Sequence, residues 1–245
     1  MLRPLFVALQ LLTRLPTPRL HDITARETGW SVLFYPVAGL IIGGFLILLN
    51  QLLLSASPGL TAALLLASWV LITGALHLDG LGDSADAWLG GHGNRERTLE
   101  IMKDPRSGPA AVVAIALVLL LKFAALQDIT SVSHWLVLLL IPVLSRTLLV
   151  LLFLTTPYVR AGGMGEILAQ HLPRRRAWAI VVLFGGLTLL TLDITLIGSL
   201  IVGTLLFIGI RRMMIRHIGG TTGDTAGALV ELTETGMLVA VALLL

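Results

Sequence analysis

The chain has 245 residues, of which 56% are hydrophobic and 13% are charged, and its mean hydropathy is +0.93. Soluble domains carry about 25% charged residues, so this composition excludes an ordinary soluble protein and predicts an integral membrane protein. Because the chain contains no cysteine, disulfide frameworks and thiolate metal sites are excluded as well. The formal net charge of +3 does not by itself indicate nucleic-acid binding.

The N-terminal segment has the pattern of a short amphipathic helix. Its apolar residues recur at helical spacing on one face: Leu2, Leu5, Phe6, Leu9 and Leu12. Such a segment lies in the membrane interface, in contact with lipid, instead of crossing the bilayer. Pro16 and Pro18 predict where this helix ends.

Seven later segments are apolar enough to be membrane spans, which need roughly 20 residues each. They are 32–54, 60–78, 110–126, 134–154, 177–192, 194–214 and 225–245. The fifth is short, and the seventh carries Glu231 and Glu234 in its first half. The pattern predicts an all-α fold, a polytopic membrane helix bundle of about seven transmembrane helices that forms one domain over residues 1–245.

Basic residues alternate with the predicted spans. All Lys and Arg except Lys122 and Arg146 fall in the N-terminal segment or in the loops after the second, fourth and sixth spans. The connections at 55–59, 127–133 and 193 contain none. The positive-inside rule therefore predicts that the basic loops are cytoplasmic. Within the spans, we expect Lys122 to snorkel to an interface and Arg146 to face a carboxylate or a substrate phosphate.

Three aspartates follow the second predicted span, in LHLDGLGDSADAW (76–88). On a continuous helix Asp79, Asp83 and Asp86 lie within an arc of roughly 60°. Carboxylates this close repel one another, and at a membrane edge they are candidates for function rather than for a solvated helix end. A hard divalent cation with oxygen ligands explains the cluster better than zinc, for which His77 would be the only imidazole.

Two further polar segments have the residue types of a phosphate site. GGTTGDTAGALVELTE (219–234) offers backbone N–H groups and hydroxyls around Thr222 and Gly223 at a helix start. Asp224 and Glu231, seven residues apart, share one face of that helix. EIMKDPRSGPAA (100–111) places Lys103, Asp104 and Arg106 just before another helix start.

These residue types together favour phosphoryl transfer. Clustered acids bind one or two metal ions, cations neutralise a phosphate or diphosphate, and an alcohol attacks phosphorus in line. No serine or cysteine nucleophile constellation is present in the sequence, which fits direct transfer. The likeness of GDSADA (82–87) to GDTAGA (223–228) suggests that the two segments face one cavity.

Four motifs, in this order, resemble the cobalamin synthase family over nearly the whole chain: HLDGLGDSADAW, IMKDPRSG, Ser145–Arg146 and GGTTGDTAGALVEL. The resemblance implies a multi-pass inner-membrane enzyme that needs Mg²⁺ and joins adenosylcobinamide-GDP to α-ribazole or its 5′-phosphate, with release of GMP. Two positions depart from the family pattern, Gly82 where Ala is usual and Pro105 where Ser is common, and neither removes a charged group.

The resemblance also implies roles for individual residues. The expected metal ligands are Asp79, Asp83, Asp86 and Asp224. Asp83, Asp86 and Glu231 are the expected catalytic residues, with the choice of general base left open. The expected substrate-binding residues are His77, Lys103, Asp104, Arg106, Arg146, Thr222 and Gly223.

Several alternatives and partners remain open from the sequence. A CDP-alcohol phosphotransferase would use the same chemistry, but DGLGDSAD lacks the Ala-Arg and the spacing of that signature. A cation-coupled transporter would place its polar residues near mid-span. The expected partners are the two substrates and membrane lipid, and no nucleic acid is expected to bind. A homo-oligomer or a complex with other cobalamin-assembly enzymes is left open.

Overall fold

The computed structural model describes residues 2–131, 134–191 and 193–245. Its helices are α1 Leu2–Leu12, α2 Ala25–Ser31, a 3₁₀ turn Val32–Phe34, α3 Tyr35–Leu52, α4 Pro58–Thr73, α5 Leu76–Gly90, α6 Arg95–Ile101, α7 Pro109–Ser131, α8 Trp135–Thr155, α9 Met164–Gln170, α10 Arg174–Leu189, α11 Ile194–Ile218 and α12 Gly223–Leu244. Within these ranges the only β-type pairing is an isolated bridge between Tyr158 and Thr221.

The helices form a multi-pass membrane bundle. In the described ranges five segments are long and apolar enough to cross a membrane, namely α2 with α3, then α7, α8, α11 and α12. A sixth is obtained if α4 and α5 count as one broken span. The predicted all-α polytopic bundle is therefore confirmed.

The second predicted span is not one straight helix, and in this respect the prediction for 60–78 was wrong. α4 ends at Thr73, and α5 leaves it at an angle of 85°. The break consists of Gly74 and Ala75, which have φ of 64° and 55°, in the left-handed region. The Arg14 amide donates to the carbonyl of Ile72 (2.7 Å), so the chain before α2 satisfies a carbonyl at this helix end.

α10 and α11 form a hairpin that returns to one end of α8. α10 has 16 residues, shorter than a standard span, and residue 192 at the end of the fifth predicted span lies outside the described residues. The Arg174 guanidinium, at the start of α10, donates to the carbonyl of Leu154 (2.6 Å). Near the end of α11, Arg211 donates to the hydroxyl of Thr156 (3.0 Å). Both basic helix ends therefore meet the C-terminal end of α8.

α8 is the central helix, since 78% of its apolar membrane-spanning stretch is buried. Two glycines let α3 pack closely on it: a Cβ at Gly39 would lie 2.5 Å from the carbonyl oxygen of Pro142, and one at Gly43 would lie 2.7 Å from the Cα of Leu139. Small residues at such crossings allow helix backbones to approach in a membrane, where apolar burial alone does not hold helices together.

α1 forms as predicted, but its apolar face packs on the protein as well as facing outward. Leu9 and Leu12 are buried in a core cluster with α3 and α8, whereas Leu2 is 65% exposed. The interfacial helix is therefore docked on the bundle, beside the junction of α4 and α5.

Candidate active site

α5 carries the three aspartates on one continuous helix, which confirms their predicted helical spacing. The neighbouring face of α5 packs on α12 through glycine. A Cβ at Gly80 would lie 2.6 Å from the carbonyl oxygen of Asp224, and one at Gly227 would lie 3.2 Å from the Cα of His77. This close approach of two backbones brings the start of α12 against α5, so two motifs far apart in sequence form one site.

Four carboxylates lie near this contact. Asp83 interacts electrostatically with Asp79, Asp224 and Asp86. Asp79 is exposed and the other three are half-buried. Carboxylates gathered in this way repel one another when ionised, so the cluster attracts a cation.

Asp86 fixes the start of α7. Its carboxylate accepts hydrogen bonds from the amides of Gly108 (2.6 Å) and Ala111 (3.1 Å). This is the arrangement by which acidic side chains satisfy unpaired N–H groups at helix starts. Asp86 therefore connects the aspartate cluster to the segment that contains Lys103.

Arg160 was not among the residues predicted from sequence, yet it contacts the cluster directly. Its guanidinium donates to Asp224 (2.8 Å). Backbone hydrogen bonds hold the loop in place: the amide of Val159 donates to Thr221 (2.9 Å) and that of Thr221 to Pro157 (2.8 Å). In sequence Arg160 resembles any positive-inside loop charge, and only this pairing of two distant loops distinguishes it.

A cavity of about 240 Å³ lies beside this contact. Lys103, Arg160 and Thr222 line it, and Thr222 caps the start of α12 by accepting from the amide of Thr225 (3.2 Å). Two cations and a helix N-terminus form a suitable environment for a phosphate group. His77 and Gly223 border a second cavity, of about 200 Å³.

Asp104 and Arg106 form a pair of their own outside both cavities. The guanidinium of Arg106 donates to both carboxylate oxygens of Asp104 (2.9 and 2.6 Å), and its side chain is 87% exposed. This bidentate hydrogen bonding lowers the pKa of Asp104 to about 2. The structure thus separates these two residues from Lys103, with which they were grouped in sequence.

A second charged cluster lies inside the bundle. Lys122 contacts Glu231 and Glu234 (2.7 Å each), and Arg146 forms an ion pair with Glu234. The hydroxyl of Ser145 also donates to Glu234 (3.1 Å). All four charged side chains are at most 6% exposed, and two cations balance two carboxylates.

This cluster corrects one expectation and confirms another. Lys122 does not snorkel, because its ammonium group is buried between two carboxylates of α12. Arg146 does face a carboxylate, as expected. The structure places Glu231 in this buried cluster and not with the four aspartates, because α12 carries Asp224 at its first turn and Glu231 two turns deeper.

The carboxylate oxygens of the aspartate cluster are the donor type that Mg²⁺ prefers. Asp79, Asp83 and Asp224 are the residues that would hold such an ion. Across the described ranges, however, no three His, Asp or Glu side chains converge closely enough to hold a metal. Asp86 is engaged by the α7 backbone and Asp224 by Arg160, so a cation would compete with Arg160 for Asp224.

Comparison with known proteins identifies related chains. The family model for cobalamin-5-phosphate synthase matches residues 4–242. The adenosylcobinamide-GDP ribazoletransferase of Pseudomonas fluorescens (strain Pf0-1) is 52% identical over 240 residues, which cover 98% of this chain and 99% of that protein. The proteins of the same name from Stutzerimonas stutzeri (strain A1501) and Pseudomonas aeruginosa (strain PAO1) are 53% and 54% identical, each over at least 98% of both chains. No solved structure matches the chain.

Proposed function

The chain belongs to the cobalamin-5-phosphate synthase family, and we propose that it catalyses the reaction after which its relatives are named. In that reaction adenosylcobinamide phosphate passes from adenosylcobinamide-GDP to α-ribazole or its 5′-phosphate, with release of GMP. The observation that supports this proposal is that Asp83 interacts electrostatically with Asp79, Asp86 and Asp224 beside a cationic cavity.

The donor diphosphate fits the cavity lined by Lys103, Arg160 and Thr222. The two cations neutralise its negative charge, and the N-terminus of α12 contributes the positive end of the helix dipole. Arg160 also donates to Asp224, so a diphosphate bound in this cavity lies close to Asp224. The phosphate of the leaving GMP then stays bound to these cations while its negative charge develops.

The bond changes are those of a direct displacement. A ribose hydroxyl oxygen of the acceptor bonds to the phosphorus on the cobinamide side, and the bond from that phosphorus to the bridging oxygen breaks. GMP departs with the bridging oxygen. The hydroxyl proton passes to a carboxylate, for which Asp79 and Asp83 are better placed than Glu231, since Glu231 is paired with Lys122 in the bundle.

We include Mg²⁺ in the proposal. Asp79, Asp83 and Asp224 would hold it, and when bound the ion would neutralise charge on the diphosphate and on the departing phosphate. The electrostatic interaction of Asp83 with Asp79 and Asp224 supports this part of the proposal, because a bound cation would reduce the repulsion between like charges.

The site is proposed to face the cytoplasm from the inner membrane. Basic residues gather at the end of the bundle that holds the aspartates: Arg160 contacts Asp224, and Arg95 donates to the carbonyl of Ile218 (2.8 Å), just before α12. Arg174 and Arg211 meet the nearby end of α8. The positive-inside rule supports a cytoplasmic location for this end.

The test is GMP release by purified, detergent-solubilised protein given adenosylcobinamide-GDP and α-ribazole 5′-phosphate, with Mg²⁺ and then with EDTA. We expect release that requires Mg²⁺ and matches formation of a cobalamin product. Asp83→Asn is expected to abolish turnover, whereas the matched change Asp22→Asn, at an exposed loop position, is expected to retain it. Full activity of Asp83→Asn would contradict the role given to the aspartate cluster, and absence of GMP release by the folded unmodified protein would refute the function.

A further inference from the structure

The second cavity, of about 200 Å³, has a different character from the cationic one. Its walls come from α1, α3, α5, α8, α9 and α12 and are mostly apolar, with Tyr35, His77, Phe153, Leu168, Gly223 and Gly227 among them. The turn at Thr222 and Gly223 borders both cavities, since Thr222 lines one and Gly223 the other. The start of α12, with Asp224, therefore adjoins a cation-lined space and an apolar one.

His77 is the conspicuous polar side chain of this apolar cavity. It is 6% exposed, and within the described part of the chain its Nδ1 has no hydrogen-bond partner. A buried nitrogen without a partner is costly, and in native proteins such groups are usually satisfied by a ligand or water. His77 lies two residues before Asp79 on α5, which is within one helical turn, and the same cavity reaches Gly223, the neighbour of Asp224.

The proposed reaction brings three aromatic bases and one corrin ring to this site: adenine and guanine in the donor, and the benzimidazole of the acceptor. A cavity of this volume holds a two-ring heterocycle but excludes the corrin. Guanine and adenine each carry several hydrogen-bonding groups, and the apolar wall would leave most of them unpaired, which is costly. The benzimidazole of α-ribazole has one ring nitrogen bonded to ribose and one with a free lone pair, so a single donor satisfies it.

We propose that this cavity binds the aromatic base of the acceptor nucleoside and that the Nδ1–H of His77 donates a hydrogen bond to the free ring nitrogen of that base. Tyr35 and Phe153, which are 2% and 6% exposed, supply aromatic surface for the rings. The ribose then projects past Gly223 toward the aspartates, with its hydroxyl facing the diphosphate in the cationic cavity. The inference rests on the proposed function and assigns base specificity to His77.

The first test uses the unmodified protein and two acceptors: α-ribazole 5′-phosphate and its indole isostere, in which carbon replaces the free ring nitrogen. GMP release is measured for each. We expect kcat/KM to be about tenfold higher for the benzimidazole. This factor corresponds to one hydrogen bond whose donor stays unpaired when the indole is bound. GMP release with equal kcat/KM for both acceptors would overturn the inference and leave the proposed function intact, whereas no release with either would refute both.

The second test asks whether His77 is the source of that preference. His77→Leu is expected to abolish the preference between the two acceptors, while His77→Asn, which keeps an N–H donor, retains part of it. The matched control His217→Leu changes a histidine of α11 that lines neither cavity and is expected to retain the full preference. An undiminished preference in His77→Leu would overturn the assignment.

A third variant is independent of the folding of His77 variants. Met164 lies at the edge of the cavity and is 59% exposed, so Met164→Trp is tolerated by the fold and narrows the opening. We expect a severalfold higher KM for α-ribazole 5′-phosphate with an unchanged KM for adenosylcobinamide-GDP. An increase for adenosylcobinamide-GDP alone would indicate that the cavity holds the donor instead and would overturn the proposal.

Discussion

Glu234→Gln is expected to destabilise the bundle strongly, because Glu234 is the acid shared by both buried cations. One of its oxygens accepts from Lys122 (2.7 Å), and the other contacts Arg146 and the hydroxyl of Ser145. The substitution leaves two cations facing only Glu231. Removing one partner of a buried ion pair costs about 3–5 kcal/mol, and for a chain of this size 1 kcal/mol corresponds to roughly 2–4 °C in Tm. We therefore expect the melting temperature to fall by about 6–20 °C.

The assay is thermal unfolding of the purified protein in one detergent, followed by the loss of the monodisperse chromatographic peak. Glu231→Gln is expected to have a smaller effect, since the one ion pair of Glu231 within the described residues is with Lys122. In the double variant Lys122→Met with Glu231→Gln the cluster stays neutral. Its decrease in melting temperature is therefore expected to be smaller than the sum of the decreases in the two single variants. Glu96→Gln, on exposed α6, is the control. An unchanged melting temperature in Glu234→Gln would refute the reasoning.

Two further substitutions test how the site is assembled. Gly80→Ala places a Cβ 2.6 Å from the carbonyl oxygen of Asp224 and is expected to lower the kcat of GMP release at least tenfold by pushing α5 away from α12. Gly185→Ala, whose added Cβ meets no atom of the described residues within 4 Å, is expected to leave activity unchanged, and equal activity in both variants would contradict the close-packing argument. Arg160→Gln removes a cation from the diphosphate cavity and is expected to raise the KM for adenosylcobinamide-GDP, measured by initial rates, about tenfold. Arg212→Gln, at an exposed position, is the control, and an unchanged KM in Arg160→Gln would exclude a contact between Arg160 and the donor.

The break between α4 and α5 shows why local pattern was insufficient there. The almost uninterrupted apolar run from Leu60 to Leu78 extends past Gly74, and hydropathy reports composition but not the direction of the helix. Gly74 was the one local signal, since glycine adopts positive φ readily. Ala75 also adopts positive φ, which is uncommon outside glycine and depends on the surrounding structure.

The aspartate spacing, in contrast, was predictable because it depends on helical geometry alone. Asp79, Asp83 and Asp86 share a face wherever the segment is helical. The contact between this segment and Asp224 was suggested by the likeness of their sequences, but it is made by glycine packing at Gly80 and Gly227. A sequence identifies a small residue without identifying the backbone that it allows to approach.

Composition, hydropathy and helical periodicity are local properties, so they were sufficient to predict an all-α membrane protein with its basic residues at one end and three aspartates on one helix face. Which charged side chains meet depends on helix packing in three dimensions. This packing placed Arg160 on Asp224 and paired Lys122 with Glu231 and Glu234, contacts that span 64 to 112 residues of sequence. Such pairs are set by which helices pack together, and in a low-dielectric interior each buried charge must find the partner that packing supplies.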